Sequence, residues 1–367
     1  MMSTKSLAKR THTKYDPELG WVNESKIYLP DIYGPGVYLK TNAQGFRNDN
    51  DVGSAVPAGK IRVICSGDSF THGYGVDNGH TWCARLSAFN DRLETVNMGE
   101  DGYGVDQAYL LYKRNAAGIE HQLHIFAFIT DDFYRVLSES FLGYAKPVLE
   151  LRDGALAVKN LPVPKRDYYF PWITQNIETL KTLRTFVFVD KIAHKMGFAA
   201  AGNSKKLSQA ERDEKARRIA HKIFEDLKRL NEAHVSRLVL VYLPTVFEIE
   251  GRPLPGWTAP EDWAKFLAGE SRTLGVPFIN LFPEFQSFPR ATEAGLFIRK
   301  GQLPYPEAEG HLTNAGNELV ARVLYHRLRS QPAIACTFSG RFVPIVTGNG
   351  VADHRTVATN PTMGCPH

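Results

Sequence analysis

The sequence predicts an α/β protein: a five-stranded parallel sheet with helices on both faces, in a three-layer α/β/α arrangement. Five short apolar, β-rich segments recur along the chain, at Ile61–Cys65, Thr95–Met98, His124–Ile129, Arg237–Leu243 and Val276–Leu281. Helical patterns lie between most of them, and strands alternating with helices build parallel sheets buried on both sides. With 367 residues and 43% hydrophobic content, the chain is long enough to bury one large core.

Taken in order, residues 1–14 read as a flexible, charged leader, and a single domain is expected over 15–330. From Tyr15 to Asn50 the chain is rich in Pro, Gly, Asn and Asp with scattered aromatics, which suggests short strands and turns packed against the domain. The first strand runs straight into Gly67-Asp68-Ser69. Trp82, Leu86 and Phe89 then recur at helical spacing, and Asp106 is placed to cap a helix reaching Lys113.

Residues 141–205 interrupt the alternation as an insertion between the third and fourth strands. Its first part, from Pro147 to Val158, reads as a hairpin turning at Asp153-Gly154. The aromatic stretch Tyr168–Trp172 and a helical stretch to about Lys195 follow. Such an insertion serves either as a lid or as a peripheral packing element. Ser208 and Glu211 form a capping-box pattern before Ile219, Ile223, Leu227 and Leu230. Thr313 is placed to cap the last helix, which turns Leu319, Val320, Val323, Leu324 and Leu328 inward. After Ser330 no periodicity remains, and residues 331–367 read as a loosely ordered tail.

Charge is nearly balanced, 44 Lys and Arg against 39 Asp and Glu, a net +5. The basic residues of 205–229 are interrupted by acidic ones, the pattern of a solvated helix face rather than a nucleic-acid groove. Cys65 and Cys83 show no CxxC spacing and read as buried thiols packing as small hydrophobes. The basic N-terminus is not followed by an apolar run, so no secretory signal or membrane span is expected and the cytoplasm is the default compartment. The glycine-rich loops match neither a Walker nor a dinucleotide fingerprint, and no His or Cys pair has ligand spacing. No cofactor and no metal are expected.

In parallel sheets, ligands collect where the strands end. Ser69, Gly102 and Asp131 each fall just after a strand. A serine hydroxyl is a poor nucleophile until an imidazole accepts its proton and a carboxylate orients that imidazole. His311, with Glu309 two residues before it, stands just ahead of the last helix.

These residues resemble the SGNH/GDSL hydrolase superfamily over roughly residues 15–329. Gly67-Asp68-Ser69-Phe70 is similar to the first family block, whose serine is the nucleophile. Asn97-Met-Gly-Glu-Asp-Gly102 is similar to the second, whose later glycine lends an oxyanion-hole amide. Thr130-Asp-Asp-Phe133 lies where the third block has Asn-Asp, and Glu309-Gly-His-Leu-Thr-Asn314 resembles the last, where an acid two or three residues before a histidine completes a triad. Leu19-Gly-Trp21 and Asn42–Arg47 resemble the N-terminal segment of bacterial members associated with surface-polysaccharide loci.

The resemblance implies Ser69 as nucleophile, His311 as base and Glu309 as its orienting acid. Glu307 is less well placed, and Ala308 occupies the position three before the histidine. The oxyanion donors implied are the Ser69 and Gly102 amides. Asp131 replaces the family asparagine, and an ionised carboxylate only accepts hydrogen bonds. Either Asp131 is protonated, or two amides work with another donor, or the activity is altered. The expected function is a serine esterase acting on small acyl esters, with acetyl on a carbohydrate as first choice. The alternatives are an O-acyltransferase to a sugar hydroxyl and a non-catalytic carbohydrate-binding module on a decayed hydrolase fold.

Overall fold

The computed structural model describes residues 12–165, 207–252, 258–288 and 295–339. The aromatic stretch at 168–172, the helical stretch to Lys195, and residues 1–11 and 340–367 lie outside these segments. The N-terminal part forms two small antiparallel pairs: β1 (Thr13–Asp16) with β2 (Gly20–Asn23), and β3 (Tyr28–Leu29) with β4 (Leu39–Lys40). Thr13 and Lys14 fall within the expected leader yet pair with Asn23 and Val22, which corrects its boundary.

The central sheet follows the predicted segments. Its strands are β5 (Ile61–Gly67), β6 (Leu93–Gly99), β7 (Leu123–Phe128), β12 (Arg237–Tyr242) and β13 (Phe278–Asn280), in the order β13-β12-β7-β5-β6 and parallel throughout. Side chains alternate between two cores, as the period of two along a strand requires. Val63, Cys65, Ile125, Ala127, Val239 and Val241 enter one core. Ile64, Phe126, Phe128, Leu238, Leu240 and Tyr242 enter the other. Helix α2 (Trp82–Ala88) and the helix Asn314–Ser330 close the first. Helix α3 (Val105–Asn115) and the helices Gln209–Ala233 and Pro260–Leu274 close the second.

The caps fall largely where the sequence places them. Ser208 and Glu211 bond each other's backbone amides, and the Thr313 hydroxyl accepts from the Gly316 amide at 3.2 Å. The expectation for Asp106 is corrected. Gly104 caps α3, while Asp106 sits within the first turn, fully buried and paired with the equally buried Lys146. Between β7 and β12, the described residues form β8 (Ser140–Phe141) and β9 (Tyr144–Ala145), then a hairpin of β10 (Val148–Arg152) and β11 (Ala155–Lys159). Asp153 and Gly154 both have positive φ at its tip, as a tight two-residue turn demands. Pro332–Ser339 is helical, so the expected loose tail starts with an ordered segment whose Ile334 and Phe338 are buried.

Cys65 and Cys83 form a disulfide, which corrects their reading as free thiols. Helix α2 lies against the sheet with Cys83 close to Cys65 of β5, and the two Cα atoms stand 6.1 Å apart, within bridging range. A spacing of 18 residues gives no hint of this in the sequence. Replacing Cys83 with serine is expected to lower the urea-unfolding free energy by roughly 3 kcal/mol, the cost of releasing a short closed loop in the unfolded chain. Equal midpoints with and without reductant would refute that expectation. Among the described residues no helix is long and apolar enough to cross a membrane.

Candidate active site

Strand β5 ends at Gly67, and helix α1 (Ser69–His72) starts at once. Asp68 caps this single turn by accepting the Phe70 amide at 2.9 Å, the turn-stabilising role its residue type predicts. Ser69 is thereby fixed at the carboxyl edge of the sheet. On the other side of the same edge, Pro306–Ala308 forms a 3₁₀ turn and Gly310 adopts φ of +84°. The Gly310 amide bonds the Ile298 carbonyl, and the Ile298 amide bonds back to the His311 carbonyl, which pins the loop.

These two loops bring Ser69 and His311 together: Oγ lies 2.8 Å from Nε2. The Nδ1 atom lies 3.2 Å from the Ala308 carbonyl oxygen. A carbonyl only accepts, so Nδ1 carries the proton and Nε2 is left to accept from the serine. The ring packs between Phe70 and Tyr74, at centroid distances of 4.9 and 5.2 Å. Desolvation in this setting pushes the His311 pKa down to about 4, against Asp101 and the neighbouring carbonyls, which raise it; Arg135 lowers it further.

Glu309 is not the partner of this imidazole. Its side chain is exposed and, among the described residues, makes no hydrogen bond or ion pair. The tight turn that ends at Gly310 presents the backbone oxygen of Ala308 to Nδ1 in its place. The carboxylate that contributes most to holding the His311 pKa up is Asp101.

Gly102 closes the third side. Its φ is +75°, and a Cβ there would lie 2.5 Å from the Phe141 ring, so only glycine fits. Neither its amide nor that of Ser69 has an internal partner among the described residues. Gly99 acts differently. A Cβ there would lie 2.2 Å from the His72 amide, so its absence lets α1 rest directly on β6. The N-terminal segment grips this region. Trp21 donates from Nε1 to the Asp101 carbonyl at 2.8 Å, and Arg47 donates to the carbonyls of His72 and Gly73 at 2.8 and 2.6 Å.

Asp131 lies in the first turn of α4 (Thr130–Arg135) and is corrected as an oxyanion donor. Its Oδ2 accepts Arg135 Nε at 2.8 Å and Nη2 at 2.6 Å, so the carboxylate is engaged as an acceptor. Arg135 also donates to Asp132 at 2.9 Å and stands 3.8 Å from Asp68. Burial raises the pKa of Asp68 to about 6, partly offset by Arg135 and by the Phe70 amide. Sequence reading missed Arg135, although its i, i+4 spacing from Asp131 on a helix start was the available signal. His72 is fully buried and packs beside Asp101.

Ser69, Gly102, Asp131, Arg135 and His311 line one cavity of about 240 Å³, walled by Phe70, Tyr74, Ile129, Phe141 and Leu142. That volume suits a small acyl group, below the range of drug-sized ligands. Phe247, Glu307 and Glu309 are exposed where it opens.

No protein-family model matches the chain, and no curated protein does. Solved structures with a similar chain path include two lipolytic proteins of the G-D-S-L family. The one from Veillonella parvula shares 13% identity over 74% of this chain and 100% of its own, at a TM-score of 0.39. The one from Desulfitobacterium hafniense shares 12% over 73% and 99%, at 0.41. An acetyl xylan esterase shares 11% over 73% and 100%, at 0.40. These likenesses are distant, and the chemistry of the site rests on its own geometry.

Proposed function

We propose that this chain is a serine esterase of the SGNH type, cleaving small acyl esters through an acyl-enzyme on Ser69. The observation that carries this reading is the 2.8 Å contact between Ser69 Oγ and a His311 Nε2 left free to accept a proton. The Ser69 oxygen attacks the ester carbonyl as its proton passes to Nε2. The developing oxyanion meets the unpartnered amides of Ser69 and Gly102, each worth on the order of 2.7–4 kcal/mol in comparable sites. Collapse breaks the acyl–oxygen bond, and the leaving alkoxide takes the proton from His311. Water then repeats the sequence, with His311 as base, and frees the acid and Ser69.

The cavity size favours a short acyl chain, and the resemblance favours acetyl on a carbohydrate. A sugar hydroxyl in place of water in the second half would make the same machinery an acyltransferase, which product analysis with sugar acceptors distinguishes. The repulsion expected from Asp131 is met by Arg135, which removes the main reason to read the site as decayed.

The direct test is p-nitrophenyl acetate turnover by the wild type beside Ser69→Ala. The variant is expected to retain under roughly 1% of the wild-type rate, with a covalent acetyl adduct seen by mass spectrometry only when Ser69 is present. Equal rates would instead favour a binding module.

A further inference from the structure

The imidazole of His311 lacks a hydrogen-bonded acid, yet an imidazolium formed during catalysis needs a compensating negative charge. Extending the esterase reading, we infer that Asp101 is that charge: a positioning residue that stabilises protonated His311 through space and replaces the expected Glu309. Asp101 lines the same cavity as His311, directly before the oxyanion-loop Gly102. Its carboxylate is held from two sides. His12 Nε2 lies 2.8 Å from Oδ2, and His72 Nδ1 lies 3.0 Å from Oδ1. The two histidine rings stack at 5.9 Å.

This clamp keeps the charge in place. Burial alone would raise the Asp101 pKa, but its close contacts with His72 and with the hydrogen-bonded His12 outweigh it and hold the carboxyl far below its ordinary value. Burial pushes His72 down to about 4. Above that pH His72 is therefore neutral and leaves the negative charge of Asp101 uncompensated on that side. The other titratable groups felt at Asp101 or His311 include His12, Arg47, Asp68, Glu100 and Arg135. Of the groups acting on His311, Asp101 contributes most toward protonation and Arg135 opposes it. His12, which lies within the expected leader, delivers one side of the clamp.

The experiment compares Asp101→Asn, Asp101→Glu and Glu309→Gln with the wild type, by kcat, KM and the pH profile of kcat/KM. The wild-type acid limb is expected near pH 4, where neutral His311 is lost. Asp101→Asn is expected to lower kcat by on the order of ten-fold, the equivalent of one pKa unit. KM should stay unchanged and the acid limb should move to lower pH. Asp101→Glu, which keeps the charge, should recover most of the loss, and Glu309→Gln should stay within two-fold.

Imidazole NMR titration, with the His311 signal assigned by His311→Gln, reads the same coupling without turnover. The His311 pKa should fall in Asp101→Asn, and the wild-type Asp101 carboxyl carbon should titrate nowhere between pH 4 and 8. An unchanged His311 titration, a protonated Asp101 in that range, or a Glu309→Gln defect as large as that of Asp101→Asn would overturn the inference. Should Ser69→Ala prove as active as the wild type, the esterase reading falls, while the NMR result still decides the electrostatic coupling.

Discussion

His311→Ala is expected to lower kcat/KM for p-nitrophenyl acetate by on the order of 10⁴-fold or more, with the fold intact by circular dichroism. The imidazole is the base within reach of the Ser69 hydroxyl, at 2.8 Å, and the carbonyl at Nδ1 leaves it in the accepting tautomer. Asp68 Oδ2 is another acceptor near that hydroxyl, at 3.4 Å, but the contact is longer, and the carboxylate is committed through Oδ1 to capping α1. Groups that act as a unit are not additive, so Ser69→Ala combined with His311→Ala should be no worse than either alone. A loss under ten-fold, or a double variant far below the singles, would show that the two side chains do not form one catalytic pair.

Arg135→Gln is expected to cost about 3–5 kcal/mol of stability and most of the activity. One guanidinium serves Asp131, Asp132 and, at 3.8 Å, Asp68. The last two are almost wholly buried, so removing the cation leaves carboxylates that cannot be rehydrated. The pH dependence has a definite sign. Burial raises the pKa of Asp68 to about 6 and that of Asp132 well above its ordinary value, even with Arg135 present. A carboxyl raised in the folded state contributes stability below its unfolded pKa and loses it as pH rises through the folded one. The deficit of Arg135→Gln should therefore be smaller at pH 5 than at pH 8 in urea titrations. A deficit that does not change with pH would show that packing against Phe141, not charge, is what Arg135 supplies. Asp131→Asn is the contrasting change. It removes a more exposed carboxylate, adds an amide donor and leaves Arg135 its other partners, so activity should hold or rise.

Much of the site is legible in the chain itself. Gly67-Asp68-Ser69 after an apolar run, and a histidine before a capped helix, sit at addresses that a parallel sheet converts into neighbours. What misleads is proximity along the chain. Glu309 is two residues from His311, but the turn through Ala308 and Gly310 aims a backbone oxygen at Nδ1 and leaves the carboxylate in solvent. Asp101 is 210 positions from His311 and carries no such signal. His12 reads as part of a leader, and its role depends on a partner 89 residues away. The Cys65–Cys83 bond is hidden for the same reason, since it is set by how a helix lies on a strand.

The alternation of apolar strands with amphipathic helices is a local property, written in periods of two and of 3.6 residues. By itself the sequence therefore determined the layers and the strand ends where Ser69, Gly102 and Asp131 stand. Which charge faces His311, which cation answers Asp131 and which cysteines bond were decided only by the tertiary structure. Those pairings depend on distances through space of a few ångströms, between residues whose separation along the chain says nothing about how loops turn once the sheet is formed.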